Sequence, residues 1–213
     1  SDWNIFFEIL DVPIFCNVLW PDRQAAIDCA KGNIRLSFCY HCGFIGNREF
    51  NPELLKYTES YENSLDFSPR FQAYAKTLAL KLIYNHDLHH NNIIVIGCGK
   101  GDFLIYLCEM GDYRGVGFDP TYVPLQEHKR LDNRVRFIQD LYSEKYAHYQ
   151  GDFIVCRHTL EHIQNPTTLL SALRQTIGNR YNTTIFFEVP NGLDTFHYMA
   201  IWDIIYEQYC YFT

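Results

Sequence analysis

Three glycines at alternate positions, Gly97, Gly99 and Gly101, followed 22 residues after the first by Asp119, are the residues here whose types and spacing say most about chemistry. Glycine gives a turn access to positive φ and lets a ligand approach the backbone with no Cβ in the way. A carboxylate at a strand end, at this distance from the turn, can accept both hydroxyls of a ribose. A dinucleotide fingerprint, G-x-G-x-x-G, would put its third glycine at position 102, which is Asp102. The sequence reads G-C-G-K-G and then an acid. An acid and Lys100 beside the turn suit a ligand with an amino-acid end better than a pyrophosphate.

A second group is the run Arg157-His158-Thr159-Leu160-Glu161-His162. Imidazole titrates near neutral pH, so His162 is placed either as a general base or, with Glu161, as a brace for the next helix. A third is Cys39-x2-Cys42, which is either half of a tetrahedral zinc site or two ordinary cysteines in a hairpin. Structural zinc is almost always four-coordinate, and Cys16, Cys29 and His41 are the remaining candidates, none of them in a second C-x2-C pair. His86, His89 and His90 have no Cys or carboxylate cluster beside them in sequence and read as solvated loop histidines.

The elements that must hold these groups follow from apolar patterning. Ile93–Ile96 is a short β-branched run, as expected for a buried strand of a parallel sheet. Phe103, Leu104, Leu107 and Cys108 have helical spacing, closed by Gly111. Gly115–Phe118 is a second strand ending at Asp119. Strand, glycine turn, helix, strand and acid make the order of a nucleotide-binding β-α-β unit; an α/β turn that binds nothing is the bland alternative. Further strands are expected at Val135–Ile138, Gly151–Cys156 and Thr183–Val189. Ser68-Pro69 caps an amphipathic helix over 69–84, and Asn165-Pro166 opens another that ends at Gly178. In such sheets ligands sit outside the carboxyl ends of the strands, so Arg157 and His158 should border the pocket.

Bulk properties exclude some classes. With 213 residues, 47% hydrophobic and 20% charged, the chain can bury a core of one α/β domain plus an appendage. A net charge of -7 argues against general nucleic-acid binding, which needs a basic surface. There is no apolar run long enough for a membrane span, and eight scattered cysteines fit reduced thiols in a cytoplasmic protein.

GCGKGDFL, GFDP and LEHI resemble the class I S-adenosylmethionine (SAM)-dependent methyltransferases. The resemblance implies a Rossmann-like, doubly wound sheet, with Gly97, Cys98, Gly99, Gly101 and Asp102 along the methionyl part of SAM. It gives Asp119 and Pro120 to the ribose and Asp140 to the adenine; a helix N-cap role for Asp140 is compatible. The family often has an acid two residues before the first glycine, where this chain has Val95, so the amino end of SAM needs another anchor, Asp102 or backbone carbonyls. Cys39 and Cys42 resemble the second knuckle of an N-terminal zinc module found in a branch that includes deoxysugar C-methyltransferases. The first knuckle would precede Ser1, which makes this chain an expected piece of a longer protein, short at its end too by two strands.

That resemblance divides the chain into a zinc-knuckle module over 1–50, a linker over 51–68 lying across the cofactor, and the SAM-binding domain over 69–213. Tyr61 in the linker either lines the pocket or packs under a loop. EVPN, with Glu188, matches the same branch, in which a carboxylate could orient substrate or pair with His162. The final stretch from Leu193 reads as helical and aromatic. The branch shows Tyr-Glu-His there; this chain has Tyr206, Glu207 and Gln208, and glutamine cannot serve as a base. The expected catalytic residues are His162, with Tyr206 and Glu207 behind it, and the acceptor that the resemblance implies is a small-molecule acceptor, small and polar, such as a nucleotide-linked sugar. A SAM-binding scaffold without catalysis and a nicotinamide-dependent oxidoreductase are the rival readings; the G-x-G-x-G spacing speaks against the second.

Overall fold

The structure is a computed structural model that describes residues 3–16, 18–55, 64–88, 91–111, 113–125, 128 and 133–213. Along the chain the elements run β1 (Trp3–Pro13), α1 (Arg23–Ile27), β2 (Lys31–Cys39), β3 (Ile45–Asn47), α2 (Pro69–Asn85), β4 (Asn92–Ile96) and α3 (Asp102–Met110). They continue with β5 (Arg114–Phe118), β6 (Val135–Ile138), β7 (Phe153–Arg157), α4 (Pro166–Ile177), β8 (Thr184–Glu188), α5 (Gly192–His197) and β9 (Cys210–Tyr211). The chain forms two compact units. One comprises Ser1–Ser60, His158–Asn165 and Val189–Thr213, the other Tyr61–Arg157 and Pro166–Glu188.

The second unit carries a five-stranded, all-parallel sheet in the order β6-β5-β4-β7-β8. The order reverses direction between β4 and β7, which makes their carboxyl ends the switch point of a doubly wound fold. Its central strands are apolar without alternation because they are covered on both faces; Ile93 to Ile96 and Phe153 to Cys156 are all buried. The core on one face joins Ile93, Val95 and Val155 to Leu104, Leu107 and Cys108 of α3 and to Ala75, Ala79 and Leu82 of α2. Ser68 caps α2 through its hydroxyl, as Ser-Pro at a helix start requires.

The first unit holds a four-stranded antiparallel sheet, β1-β2-β3-β9. The first fifty residues thus stand outside the parallel sheet, and β9, near the other end of the sequence, completes theirs. This differs from the expected division, which kept 69–213 as one domain. The physical reason is a backbone ladder, Ile45 with Tyr211 and Gly46 with Cys210, together with Tyr206 in a core of Ile34, Leu36 and Phe50. The hydroxyl of Tyr206 accepts the Asn51 N–H at 2.9 Å. Its ring lies over Gly32, where an added Cβ would fall 2.3 Å from a ring carbon. The stretch after Leu193 is not one helix: α5 has six residues, a 3-10 turn follows at Ile201–Asp203, and the aromatic tail ends as a strand. Tyr is a good strand residue once a partner edge is present.

Among the described residues no helix is long and apolar enough to cross a membrane. No group of three or more His, Cys, Asp or Glu among them could hold a metal ion. The expected zinc-knuckle module is therefore corrected: Cys39 is buried at the end of β2, Cys42 is exposed in the hairpin that follows, and four-coordination finds no second pair.

Candidate active site

The glycine turn closes the carboxyl end of β4. Gly97, Gly99 and Gly101 all have positive φ, at 66°, 56° and 95°, which accounts for the alternate spacing. At Gly101, which caps α3, a Cβ would also meet the Phe137 ring at 2.5 Å. The turn spends its amides internally. Gly97 and Cys98 donate to the Phe118 carbonyl, Gly101 donates to the Cys98 carbonyl, and Gly99 donates to the Asp119 carboxylate at 2.8 Å.

Asp119 is buried at the carboxyl end of β5. One oxygen accepts Gly99 N–H; the other accepts the Thr121 amide at 2.8 Å and the Thr121 hydroxyl at 2.6 Å. A carboxylate offers about four lone-pair sites, so these three bonds hold it in place and leave room for a further donor. Thr121 was missed from sequence, although Asp-x-Thr is a turn signal whose side chains bond the backbone two residues on. Pro120 between them fixes the chain direction. Beside the turn, Tyr122 stacks on Phe137 with centroids 4.3 Å apart, and His128 lies 5.1 Å from the same ring. No spacing rule identifies this aromatic group, because its members lie on three separate segments.

Asp102 opens α3, half-buried. Burial pushes its carboxyl up from the ordinary value and nearby Asp66 adds to that, against a hydrogen bond donated by Ser64 at 3.0 Å. Asp66 in turn accepts the Tyr106 hydroxyl on both oxygens, at 2.7 and 2.8 Å. Two residues of the expected linker, Ser64 and Asp66, thus reach the first turns of α3; Tyr61 lies outside the described residues. Burial, then the Asp119 and Asp102 charges, hold the Cys98 thiol well above its usual range.

Asp140 lies after β6. Its carboxylate accepts from Lys145, from the Tyr146 hydroxyl at 2.5 Å and from the Leu141 amide, which together lower its pKa. At the carboxyl ends of β7 and β8, laterally paired Arg157 and Glu188 form an ion pair with both side chains mostly buried, and Tyr74 donates to the same carboxylate. The guanidinium also sits 4.1 Å from the Phe103 ring centroid. Glu188, expected to orient substrate or pair with His162, is engaged by Arg157 and Tyr74. Of the loop histidines, His86 ends α2 and stacks on Phe153, while His89 and His90 lie outside the described residues.

In the first unit, His158 has the left-handed φ of 48°, uncommon for a non-glycine residue. Glu161 is buried, with one carboxylate oxygen 3.9 Å from His158 Nδ1 and 3.9 Å from His162 Nε2. His162 Nδ1 is 2.8 Å from the Glu207 carbonyl oxygen. A carbonyl only accepts, so Nδ1 carries the proton and Nε2 is the basic nitrogen. Glu207 is fully buried; its carboxylate accepts the Cys16 amide at 2.9 Å, and its other oxygen has no hydrogen-bond partner among the described residues. Partial burial and the Glu207 carboxylate push the Cys16 thiol up to about 12.

Residues 67–213 match the family model described as "Methyltransferase domain". No curated protein sequence matches the chain. Among solved structures, a putative SAM-dependent methyltransferase from Methanococcus maripaludis is 14% identical with TM-score 0.48, covering 70% of this chain and 75% of that one. The magnesium protoporphyrin IX methyltransferase of Synechocystis with bound SAM is 20% identical with TM-score 0.40, covering 50% and 54%. A SAM-dependent methyltransferase from Clostridium acetobutylicum is 12% identical with TM-score 0.43, covering 58% and 52%. The chain spans about half the length of the last two. With the family match extending over more than two-thirds of its residues, the chain belongs to the methyltransferase-domain family.

Proposed function

We propose that the chain transfers a methyl group from SAM to a small polar acceptor, with a nucleotide-linked sugar as the acceptor class. The observation that carries the reading is the buried Asp119 carboxylate, clamped by Gly99 and Thr121 at the end of β5 with acceptor capacity to spare. A ribose hydroxyl is the donor that suits it. The glycine turn suits a ligand lying close to the backbone, and Asp102, kept next to Asp66 at the start of α3, suits a cationic amino group. SAM, when bound, supplies an electrophilic methyl on a sulfonium.

The chain's own part is to align the two partners and to take a proton from the acceptor. His162 is the residue we assign to the proton, because its fixed tautomer leaves Nε2 basic and its side chain is 25% exposed. Tyr206 and Glu207 are buried and already bonded within the first unit, and support that frame. The test is calorimetric titration with S-adenosylhomocysteine and, in parallel, NADH. Binding of the first alone supports the reading; binding of NADH alone would replace it with a nicotinamide enzyme. Turnover of any acceptor excludes the non-catalytic scaffold, and loss of that turnover in His162→Ala with homocysteine-nucleoside affinity unchanged would support the base assignment.

A further inference from the structure

At the end of the parallel sheet opposite the glycine turn there is an open cavity of about 220 Å³, formed by the amino ends of β4, β5 and β6. Among the described residues its polar lining includes Asn92, Arg114, Asn133, Arg134, Arg136 and Gln150, with no acidic side chain among them. The strands explain the convergence. Asn92 is laterally paired with Arg114, and Val116 with Arg136. Lateral neighbours share a face, as do residues two apart on one strand, so Asn92, Arg114 and Arg136 stand on the same face. Arg134, just before β6, is anchored: its guanidinium donates to the carbonyls of Cys108 at 3.0 Å and Gly111 at 3.2 Å, at the end of α3. Its position is therefore set by folding and not by a ligand.

Three arginines lining one cavity run against the net charge of -7. Like charges gathered this way repel one another, and an anion between them removes that repulsion. Arginine's planar fork matches phosphate oxygens in pairs, and the Asn92 and Gln150 amides add neutral donors. The acidic remainder of the chain disfavours a long polyanion such as nucleic acid, whereas a small dianion meets only the local field. Five strand residues at about 3.3 Å each put this cavity roughly 15 Å from the glycine turn, too far for one small ligand to serve both.

We propose that this cavity is a binding site for a small phosphate-bearing anion, separate from the cofactor turn. Calorimetric titration of the whole chain at constant ionic strength, with inorganic phosphate and with ribose 5-phosphate as probes, tests it. Saturable binding is expected, weakened about tenfold or more in Arg114→Gln/Arg136→Gln and unchanged in Arg70→Gln, an exposed arginine of α2. Tighter binding of the sugar phosphate would identify an organic phosphate as the ligand; equal binding would identify free phosphate. No saturable binding to the unsubstituted chain, or equal binding by the double variant, overturns the proposal. Far-ultraviolet circular dichroism reports that the variants are folded, and S-adenosylhomocysteine titration on the same samples separates this proposal from the cofactor reading.

Discussion

Replacing Asp119 by asparagine tests the cofactor assignment and the local geometry together. Asparagine keeps the shape but exchanges one acceptor oxygen for a donor. In one orientation its amide nitrogen faces the Gly99 N–H; flipped, it faces the Thr121 N–H. Either way one buried backbone donor loses its acceptor, at a cost of about 1–3 kcal/mol. The Thr121 hydroxyl can turn to suit, so it adds little. The loss of charge weakens any ribose hydroxyl bond by a further ~1.5 kcal/mol, about tenfold in affinity. The expected result is S-adenosylhomocysteine binding reduced ten- to a hundredfold by calorimetry, with a urea midpoint lowered by the stability term. Unchanged affinity in a folded variant would refute the assignment of Asp119 to the cofactor. Reduced affinity in Asp119→Asn but not in Asp119→Glu would point to charge, not placement, as the deciding quantity.

Three further outcomes follow from packing and electrostatics. Gly32→Ala should lower the stability of the first unit by about 1–3 kcal/mol in urea unfolding, because the new Cβ meets the buried Tyr206 ring; no change would mean that the ring moves freely. Glu207→Gln should lower the Cys16 pKa from about 12 and speed its alkylation by iodoacetamide near pH 8, read by mass spectrometry, since the carboxylate is part of what holds the thiol protonated. Asp102 has a raised pKa, so the folded chain binds more protons than the unfolded one in the window just above the ordinary aspartate value. Its stabilising contribution is present below that window and declines as pH rises through it. Asp102→Asn should therefore flatten this decline and leave the second unit at least as stable at pH 7; a variant less stable at pH 7 than at pH 4, relative to the parent, would contradict it.

The parallel sheet was legible because its determinants are local. Ile93–Ile96 and the apolar run inside Gly151–Cys156 are covered on both faces, and the glycines at 97, 99 and 101 sit where the backbone needs positive φ. The antiparallel sheet was not legible. Pairing of Ile45 with Tyr211 spans more than 160 residues, and no local pattern encodes a partner that distant. Register shifts in β1, between Ile5 and Phe7 and between Ile9 and Val12, also broke the alternation that would have announced a long strand. The helical reading after Leu193 failed for a related reason, since Tyr211 takes strand geometry only because β3 offers an edge. At the site, the place of Asp119 at the end of β5 was readable from spacing, whereas the Arg157–Glu188 pair depends on the lateral register of β7 and β8.

The recruitment of β9 by β3 has a consequence for the order in which the molecule is made. During synthesis from the amino terminus, residues 61–188 emerge complete before the segment that carries Cys210 and Tyr211. The parallel unit can close around its own core while β3 still presents an open edge. The antiparallel unit must then close a loop of about 160 residues, a cost that grows only with the logarithm of its length and falls when the intervening chain is already compact. Until that closure, the β3 edge and Ile34 and Leu36 lack their last partners, Tyr206 and Tyr211. The interval between these two events is when this chain is most open to pairing with the wrong strand.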